Sequence, residues 1–428
     1  MRIWSPLRFI PRRSCYAMNT SCVRTDTCEY TSAWQCMGYS EPGSADLTRE
    51  LHFTQTRRVP LITRPDHLLI RVESASLNPM DVLCLSGYGA STFRYARYLG
   101  SSFGLMGLSG MNGSEFPFTP GRDFAGHVHD VAPSARFSPG DRVAGATWPF
   151  LSSTSAGSLA GFIVCPESYC ARIPDNVSAI EACSVGYAGL TGWSALAAAG
   201  LHPFMSIKTA TCPLVLVAGA TGGVGLTAAQ LAKFWGCRVH VTCPDDEKAR
   251  SMMKELEFDD VIVYPDLPPV GTKYDVIIDC IRPAHLSQNI SQPTWNAESI
   301  LQIVTPRLPP LFEYLSCDSS ARYVSLNSPV LYLMDTFGSI PGVGLAVTQR
   351  LSSQLLAYTA PGGKSCAQLR WAFFKPSGER LDYMLKLVST GLFKVFIDEI
   401  FPFDMVPEAF KRIASKGVRG KIVVHVND

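Results

Sequence analysis

Three glycines at a fixed spacing are the residues of this chain that most clearly indicate a chemistry. Gly219, Gly222 and Gly225 follow the apolar run Leu214–Ala218 and precede a segment rich in Ala, Leu and Gln. A glycine turn between a buried strand and a helix lets the backbone approach a pyrophosphate, and the first amides of the helix point at it. The spacing therefore predicts a dinucleotide-binding turn. A glycine-rich core turn that holds no nucleotide is the alternative.

Residues beyond the next predicted strand bear on the choice of dinucleotide. The strand over residues 239–242 ends without the carboxylate that would hold the ribose hydroxyls of NADH. A hydroxyl, two cations and a phenol that could bind the 2′-phosphate of NADPH follow instead, and they are Thr242, Lys248, Arg250 and Tyr264. Asp245 and Asp246 argue against this interpretation, unless they occupy the first turn of a helix, where the macrodipole favours acids. NADPH is therefore the predicted cofactor.

Two different patterns surround the glycine turn. Up to about residue 180, short apolar runs alternate with Gly and Pro turns, which predicts a β-rich domain. From residue 181 onward, strands alternate with helical stretches, which predicts a parallel, doubly wound sheet. Predicted strands lie at residues 67–76, 214–218, 239–242, 261–264, 274–280, 323–326 and 420–426, and toward the ends of 115–131 and 138–143. Predicted helices lie at residues 187–200, 380–390 and 406–415.

The predicted fold class is α/β. A doubly wound parallel (Rossmann) sheet takes residues 186–375, and a β-rich catalytic domain combines residues 31–185 with residues 376–428. The Pro-, Ser- and Asn-rich residues 283–320 are predicted to form an inserted surface loop, and residues 91–113 a second one. A substrate would bind in the cleft between the two domains.

Composition narrows the class of protein. At 428 residues, 46% hydrophobic and 17% charged, the chain has room for two domains with full cores. A net charge of +2 gives no electrostatic case for binding nucleic acid or an anionic membrane. No stretch is a continuous apolar run of about 20 residues, so no transmembrane helix is predicted. The 14 cysteines form no Cys-x-x-Cys pair, which is typical of free thiols in a reducing compartment.

The first 25 residues hold five arginines and no acid. The arginines are Arg2, Arg8, Arg12, Arg13 and Arg24. This composition predicts that residues 1–30 are a mitochondrial presequence, cleaved before Thr31. A disordered basic tail is the alternative.

The turn at residues 222–225, followed by Gln230 and Lys233, resembles the cofactor signature of zinc-free quinone oxidoreductases of the medium-chain dehydrogenase/reductase superfamily. Residues 76–81, which read Ser-Leu-Asn-Pro-Met-Asp, are similar to a Ser-x-Asn-x-x-Asp element of that family, whereas Thr221 departs from its usual small residue. The resemblance implies a GroES-like fold for the catalytic domain. It also implies NADPH-dependent hydride transfer to a quinone-type small molecule or, alternatively, to an activated enone.

Several site residues follow only from that resemblance. It implies that Asn78, Asp81 and Tyr88 lie at the nicotinamide, with the Tyr88 hydroxyl donating to the carbonyl of the acceptor. Taken alone, Asn78 and Asp81 are equally explained by a turn in which they bond their own backbone. Predicted cofactor contacts are Thr191, Gly219, Thr221, Gly222, Gly223, Val224, Gly225, Thr242, Lys248, Tyr264, Leu326, Phe373, Arg419 and Lys421. Arg419 and Lys421, taken alone, are as well explained by a solvated basic turn.

Zinc-dependent relatives of this family place a metal ligand in a turn that reads Gly-Arg-Asp here, at residues 121–123. Arginine cannot ligate zinc, and the position of a first cysteine falls in residues 78–81, so no metal is predicted. His127 and His129 share a strand face without a partner set and are predicted to be structural or exposed. Arg282 stands where the family has a glycine near the cofactor, so it is predicted to narrow or reshape that site.

The resemblance also bears on cell biology. It implies a role in ubiquinone biosynthesis, a mitochondrial location with the matrix favoured, and protein partners of the reticulon or ubiquinone-pathway type; a homodimer is compatible with it. A non-catalytic interaction protein that keeps the fold is the competing hypothesis, because a fold does not by itself establish an activity.

Overall fold

The computed structural model describes most of the chain from Tyr30 onward. The described residues are 30–40, 46–92, 94–95, 115–132, 135–148, 157–203, 212–281, 308–359 and 367–426. The predicted presequence up to residue 29, residues 96–113 of the second predicted loop, and Arg282 lie outside them.

Strands dominate the described chain before residue 179, and strands alternate with helices after it. The strands, in chain order, are β1 (Tyr30–Cys36), β2 (Leu51–Arg58), β3 (His67–Leu77), β4 (Asp123–Val131), β5 (Arg142–Ala146), β6 (Phe162–Pro166), β7 (Cys170–Arg172), β8 (Leu214–Ala218), β9 (Arg238–Pro244), β10 (Asp260–Tyr264), β11 (Val276–Asp279), β12 (Arg322–Ser325), β13 (Gln368–Trp371), β14 (Ile397–Pro402) and β15 (Lys421–His425). The helices with described bounds are α1 (Pro79–Leu85), α2 (Ala179–Ala198), α3 (Gly223–Phe234), α4 (Glu247–Leu256), α5 (Val330–Phe337), α6 (Ser339–Thr359), α7 (Gly378–Ser389) and α8 (Val406–Ala414).

Six strands form one parallel sheet in the spatial order β10-β9-β8-β11-β12-β13. Numbered within the sheet, the order is 3-2-1-4-5-6, which is that of dinucleotide-binding sheets. Every residue of β8 is buried, because helices cover both faces of a parallel sheet. The predicted doubly wound sheet is confirmed.

The second sheet joins residues from both ends of the described chain. Its strands lie in the order β14-β15-β3-β4-β5-β7, and β6 also pairs with β3. The C-terminal strand β15 pairs antiparallel with β3 and parallel with β14. The C-terminal strand β15 therefore lies within the β-rich sheet, next to the end of β3 that leads into α1.

The long helix α2 connects the two sheets. Its start is fixed by a capping box, in which Ser178 Oγ accepts from the Glu181 amide at 3.2 Å and the Glu181 carboxylate accepts from the Ser178 amide at 2.9 Å. The helix packs against β3, β4 and β5 and against α3. The start predicted at residue 187 was wrong, since the helix begins at Ala179, and the domain boundary predicted at residue 185 falls inside it.

Part of the surface loop predicted at residues 283–320 is packed into the core. Phe312 and Leu315 are buried, at 3% and 0% exposure. The Tyr274 amide donates to the Tyr314 carbonyl at 2.8 Å, so the segment lies along the start of β11. The prediction of a surface loop is wrong for residues 312–315, which two apolar side chains anchor in the core, whereas residues 317–320 are exposed.

Helices α5 and α6 lie between β12 and β13 in the chain and pack against each other. The apolar pattern of the sequence did not predict them. A Cβ on Gly342 would lie 2.5 Å from the Leu333 carbonyl oxygen. The close crossing of the two helices therefore depends on a residue without a side chain.

Candidate active site

The glycine turn joins β8 to α3 at the centre of the parallel sheet. Gly219 has a φ of 83°, a conformation that favours glycine. A Cβ on Gly225 would lie 2.3 Å from the Gly219 carbonyl oxygen, so α3 packs on the strand end only without a side chain there. A Cβ on Gly222 would have that oxygen, at 3.7 Å, as its nearest neighbour, which leaves the space in front of the helix open.

This turn fits a pyrophosphate. Gly223, Val224 and Gly225 form the first turn of α3, whose N–H groups have no partners within the helix and whose positive dipole end faces the open space. Strand β8 lies between β9 and β11, where the strand order reverses and where open parallel sheets bind ligands. The residues present can hold the phosphates of a dinucleotide.

Thr242, at the carboxyl end of β9, supports the turn. Its Oγ1 accepts a hydrogen bond from the Gly219 amide at 3.0 Å, and its carbonyl accepts from the Ala220 amide at 3.0 Å. The hydroxyl proton is still available for donation to a ligand. Thr242 thus holds the glycine turn in position. Its contact with the cofactor is a separate role and stays a prediction.

Lys248 and Arg250, predicted to bind a 2′-phosphate, and Arg419, a predicted cofactor contact, all have acidic partners, and that of Arg250 is Asp245. The Lys248 ammonium forms an ion pair with the buried Asp398 carboxylate. Arg419 donates from Nη2 to Asp246 Oδ2 at 2.6 Å, and this bond lowers the pKa of Asp246. Asp246 also caps α4 by accepting from the Ala249 amide at 2.9 Å, so it lies at the helix start as the N-cap, whereas Asp245 precedes the helix and is not in its first turn as predicted. A 2′-phosphate bound here would have to share Lys248 with Asp398 and Arg250 with Asp245.

The other predicted cofactor contacts of the Rossmann domain lie at the carboxyl ends of three strands and on α2. Tyr264 ends β10, Leu326 follows β12 and Phe373 lies just beyond β13, so all three are at the carboxyl edge of the sheet. Tyr264 and Phe373 have exposed side chains. Thr191 is buried on α2, where its hydroxyl donates to the Tyr187 carbonyl at 2.7 Å.

The C-terminal segment contacts the glycine turn directly. The Gly420 amide donates to the Thr221 carbonyl at 3.3 Å. A Cβ on Gly223 would lie 3.4 Å from Lys421 Cδ, so the lysine side chain runs past the start of α3. Thr221, Gly223 and Lys421 therefore meet in one contact between the domains.

Asp123 is the centre of a buried polar cluster beside this contact. Its Oδ2 accepts from Ser76 Oγ at 2.9 Å, from Asn78 Nδ2 at 2.8 Å and from Lys421 Nζ at 3.1 Å. Its Oδ1 accepts from the Tyr187 amide of α2, and Lys421 Nζ also donates to Asn78 Oδ1 at 2.8 Å. We call Ser76, Asn78, Asp123 and Lys421 the cleft cluster. A fully bonded buried network of this kind is rigid, and the ammonium predicted to contact the cofactor lies within it.

Asp81 lies next to the cleft cluster and is itself buried. Its Oδ2 accepts from the Asn78 amide at 2.8 Å, so these two residues do form the backbone-bonded turn that was the alternative interpretation. Its Oδ1 lies 3.3 Å from Nε of Arg122. Burial raises the pKa of Asp81 to about 6, although the Arg122 guanidinium opposes the shift.

Arg122 is fully buried between two aromatic rings. Its Cζ lies 5.3 Å from the ring centroids of both Trp148 and Tyr187, and its Nη2 donates to Cys84 Sγ at 3.2 Å. Sequence reasoning treated this arginine only as a missing zinc ligand. Its pairing with Asp81 was missed, as was the central role of Asp123, because both depend on partners from distant strands.

Tyr88 packs against the helix pair α5–α6, in a cluster with Tyr332 and Leu333. Its loop is held by Asp335 of α5, whose carboxylate accepts from the Gly89 amide at 2.6 Å. The structure thus places the predicted catalytic tyrosine at the junction of the catalytic domain with this helix pair.

Two further observations concern metal and membrane. Within the described residues, no group of three or more His, Cys, Asp or Glu side chains is arranged to hold a metal ion. His127 and His129 are exposed on β4, as predicted. In the part of the chain that the structure describes, no helix combines the length and apolarity that a membrane span requires.

Two family models match the chain. One, described as the alcohol dehydrogenase GroES-like domain, matches residues 64–175, which confirms the predicted GroES-like domain, and one described as zinc-binding dehydrogenase matches residues 256–424. The chain is 33% identical over 382 residues to the mitochondrial NAD(P)H oxidoreductase RTN4IP1 of Bos taurus, covering 88% of this chain and 86% of that protein. It is 29% identical over 318 residues to the chloroplastic quinone-oxidoreductase QR1 of Triphysaria versicolor, covering 72% and 80%. The quinone oxidoreductase of Coxiella burnetii has a similar fold, with a TM-score of 0.62 at 21% identity over 93% of this chain and 100% of that one.

Proposed function

This chain belongs to the family of the mitochondrial NAD(P)H oxidoreductases RTN4IP1, within the medium-chain dehydrogenase/reductase superfamily, and on that premise we propose that it is a zinc-free, NADPH-dependent quinone oxidoreductase. The observation that carries the proposal is the contact that Gly420 and Lys421 make between the glycine turn and the cleft cluster. It sets a dinucleotide site directly beside buried polar side chains of the catalytic domain.

The chemistry divides between the cofactor and the chain. When bound, NADPH supplies a hydride, and a quinone that takes up this hydride and one proton leaves as a hydroquinone. The first turn of α3 holds the pyrophosphate, and the cleft cluster fixes the orientation of Asn78. The Tyr88 hydroxyl donates to the acceptor oxygen as negative charge develops on it.

The choice of NADPH rests on the end of β9. Of the two aspartates that directly follow β9, Asp246 is engaged by Arg419 and by the start of α4, and Asp245 pairs with Arg250, so neither is free to accept both ribose hydroxyls. A 2′-phosphate would compete with Asp398 for Lys248, and charge-assisted bonds of that kind are strong. We expect Lys248→Gln to weaken NADPH binding about fivefold, with NADH binding unchanged, in calorimetric titrations. Equal losses for both cofactors would contradict this assignment.

Arg122 supports chemistry without zinc. Its buried guanidinium, paired with Asp81, already supplies a positive charge in the turn where a metal ligand would be needed. Elemental analysis of the purified protein should find no stoichiometric zinc. One zinc per chain would overturn this part of the proposal.

The location and the partners are proposed on other grounds. The name of the mitochondrial relative and the five N-terminal arginines support a mitochondrial location, with the matrix as the specific proposal. Deletion of residues 1–29 should then abolish import. A role in ubiquinone biosynthesis, a homodimer, and a reticulon-type or ubiquinone-pathway partner belong to the same proposal.

Single-turnover oxidation of NADPH by a panel of quinones and enones, followed by absorbance, tests the reaction. We expect Tyr88→Phe to lower the rate of hydride transfer by up to about 10²-fold, with NADPH affinity nearly unchanged, because the hydroxyl acts only on the developing charge. Tyr314→Phe, at a tyrosine beside β11, is the matched control and should transfer hydride at the normal rate.

The outcome separates the candidate functions. Transfer to enones alone would favour an enone reductase. A protein that binds NADPH but transfers no hydride to any acceptor would be the non-catalytic interaction protein.

A further inference from the structure

The long helix α6 carries its large apolar side chains on the outside. Six of them recur every three or four positions and so lie on one side of the helix. They are Ile340, Val343, Val347, Leu351, Leu355 and Tyr358. We call these six side chains the α6 stripe. The exposed fraction is 77% at Ile340 and 64% at Leu351, so the stripe is open to solvent in the described structure.

The fully buried positions of the same helix are all small residues, and Leu345 is partly buried beside them. Gly342, Ala346, Ser353 and Ala357 are its buried positions. A surface helix ordinarily buries its large apolar side chains and exposes polar ones. Helix α6 is built the other way round, so packing within its own domain does not account for the stripe. Contiguous exposed apolar surface of this kind marks an interaction site.

The chain around the stripe carries positive charge and no negative charge. Residues 336–378 include no Asp or Glu. Their four cations are Arg350, Lys364, Arg370 and Lys375. The net charge of +2 for the whole chain does not reveal this local excess of positive charge, because the acidic residues lie outside residues 336–378.

Three arginines lie near the C-terminal half of α6. Arg350 Nη1 donates to Gln354 Oε1 at 3.3 Å, and the same oxygen accepts from the amide of Leu369, the residue before Arg370. Arg322 lies on β12, in register with Gln368 of β13. Burial and the like charge of Arg370 lower the pKa values of Arg322 and Arg350. Arg322 donates to the Ser319 carbonyl at 2.7 Å and Arg370 to the Ala198 carbonyl at 2.9 Å, so both bond neutral groups. Among the described residues, none of the three arginines forms an ion pair with an acid. We call Arg322, Arg350 and Arg370 the arginine cluster.

We infer that the α6 stripe and the arginine cluster dock the protein on an anionic phospholipid membrane, with α6 lying in the plane of the interface. A helix of 21 residues presents an apolar edge roughly 30 Å long. Interfacial helices bind by burying such an edge while nearby cations meet anionic headgroups. A second copy on the same face would offer these cations no acid from residues 336–378, so the charge favours lipid over self-association.

The position of the surface gives docking a consequence for the proposed reaction. On its inner side α6 packs, through Ala346, in the cluster that contains Tyr88. The docked helix therefore packs on the loop of the proposed catalytic tyrosine, which places that loop one helix diameter, roughly 10 Å, from the docked face. Docking itself does not depend on hydride transfer, so each can fail separately.

Cosedimentation of the full chain with vesicles tests the surface, without cofactor or acceptor. One vesicle is phosphatidylcholine alone and the other an equal mixture with phosphatidylglycerol. We expect binding to the mixed vesicle only. The double variant Leu351→Ser, Leu355→Ser should bind at least about tenfold more weakly, and Arg350→Gln about fivefold more weakly. Leu61→Ser and Arg49→Gln, at exposed positions outside α6, are the matched controls and should bind normally.

Three results would overturn the inference. The first is full vesicle binding by the stripe variants. The second is loss of binding from Arg12→Ala with Arg13→Ala alone, which would assign the binding to the N-terminal segment. The third is conversion of a dimer into a monomer by the stripe variants while vesicle binding stays unchanged. An unchanged circular dichroism spectrum and NADPH affinity establish that the variants are folded. Hydride transfer to a water-soluble quinone, measured apart, reports on the proposed function alone.

Discussion

The glycine turn and the cleft cluster are in contact, yet they work in opposite ways. The turn offers backbone N–H groups to a ligand, and its function needs side chains to be missing at Gly219, Gly222 and Gly225. In the cleft cluster, by contrast, the polar side chains hydrogen-bond to one another, through Asp123 and Lys421. Added side-chain volume should therefore disrupt the glycine turn, whereas loss of a charged group should destabilise the cleft cluster.

The largest expected effect comes from neutralising the centre of the cluster. Asp123→Asn keeps the shape of the side chain but leaves the Lys421 ammonium buried without its counter-charge. Removing one partner of a buried ion pair costs about 3–5 kcal/mol. The urea concentration at the midpoint of unfolding, followed by tryptophan fluorescence, should therefore be lower for Asp123→Asn than for the wild type.

The matched control for that variant is Asp404→Asn, at an exposed carboxylate. It should leave the unfolding midpoint within error of the wild type. An Asp123→Asn protein as stable as the wild type would show that the cluster is not held by charge.

Two alanine substitutions in the turn separate packing from ligand approach. Gly225→Ala puts a Cβ 2.3 Å from the Gly219 oxygen, so it should shift the turn and lower both stability and NADPH affinity. Gly222→Ala has room in the folded chain but projects its methyl group toward the ligand. It should leave the unfolding midpoint unchanged and weaken NADPH binding at least about tenfold, or about 1.4 kcal/mol. If Gly222→Ala bound NADPH normally, the pyrophosphate would have to lie elsewhere.

The smallest effect is a pH dependence at the edge of the cluster. Burial raises the pKa of Asp81 to about 6, so the native protein holds this proton more tightly than the unfolded chain does. The resulting stabilisation is fully present below about pH 4 and is lost as the pH rises through about 6. The melting temperature of the wild type, relative to Asp81→Asn, should therefore fall between these pH values and stay constant above them. A constant difference over the whole range would contradict the shifted pKa.

Features formed by residues adjacent in the sequence were predictable, and features formed by residues distant in the sequence were not. The strand β8, the turn and α3 were predicted because one run of adjacent residues sets them, and the capping box at Ser178 and Glu181 could have given the true start of α2. The buried segment at Phe312 was missed because its apolar residues have no periodicity and are anchored by Tyr274.

The candidate site divides in the same way. Asn78 and Asp81 could be named from the family element, but their bonding to Asp123 and Arg122 could not, because antiparallel pairing of β3 with β4 sets it. Likewise, the cations near the end of β9 were visible, whereas their engagement by Asp246 and Asp398 was not.

The sequence by itself determined the class of fold, the dinucleotide turn and the family, because each rests on local backbone requirements and on apolar periodicity. The tertiary structure decided which polar groups are already satisfied and which surfaces remain open. It placed Lys421 in the cleft cluster and turned the large side chains of α6 outward. The physical reason is that burial and pairing are set by residues from distant parts of the chain, and no local pattern records which of them will meet.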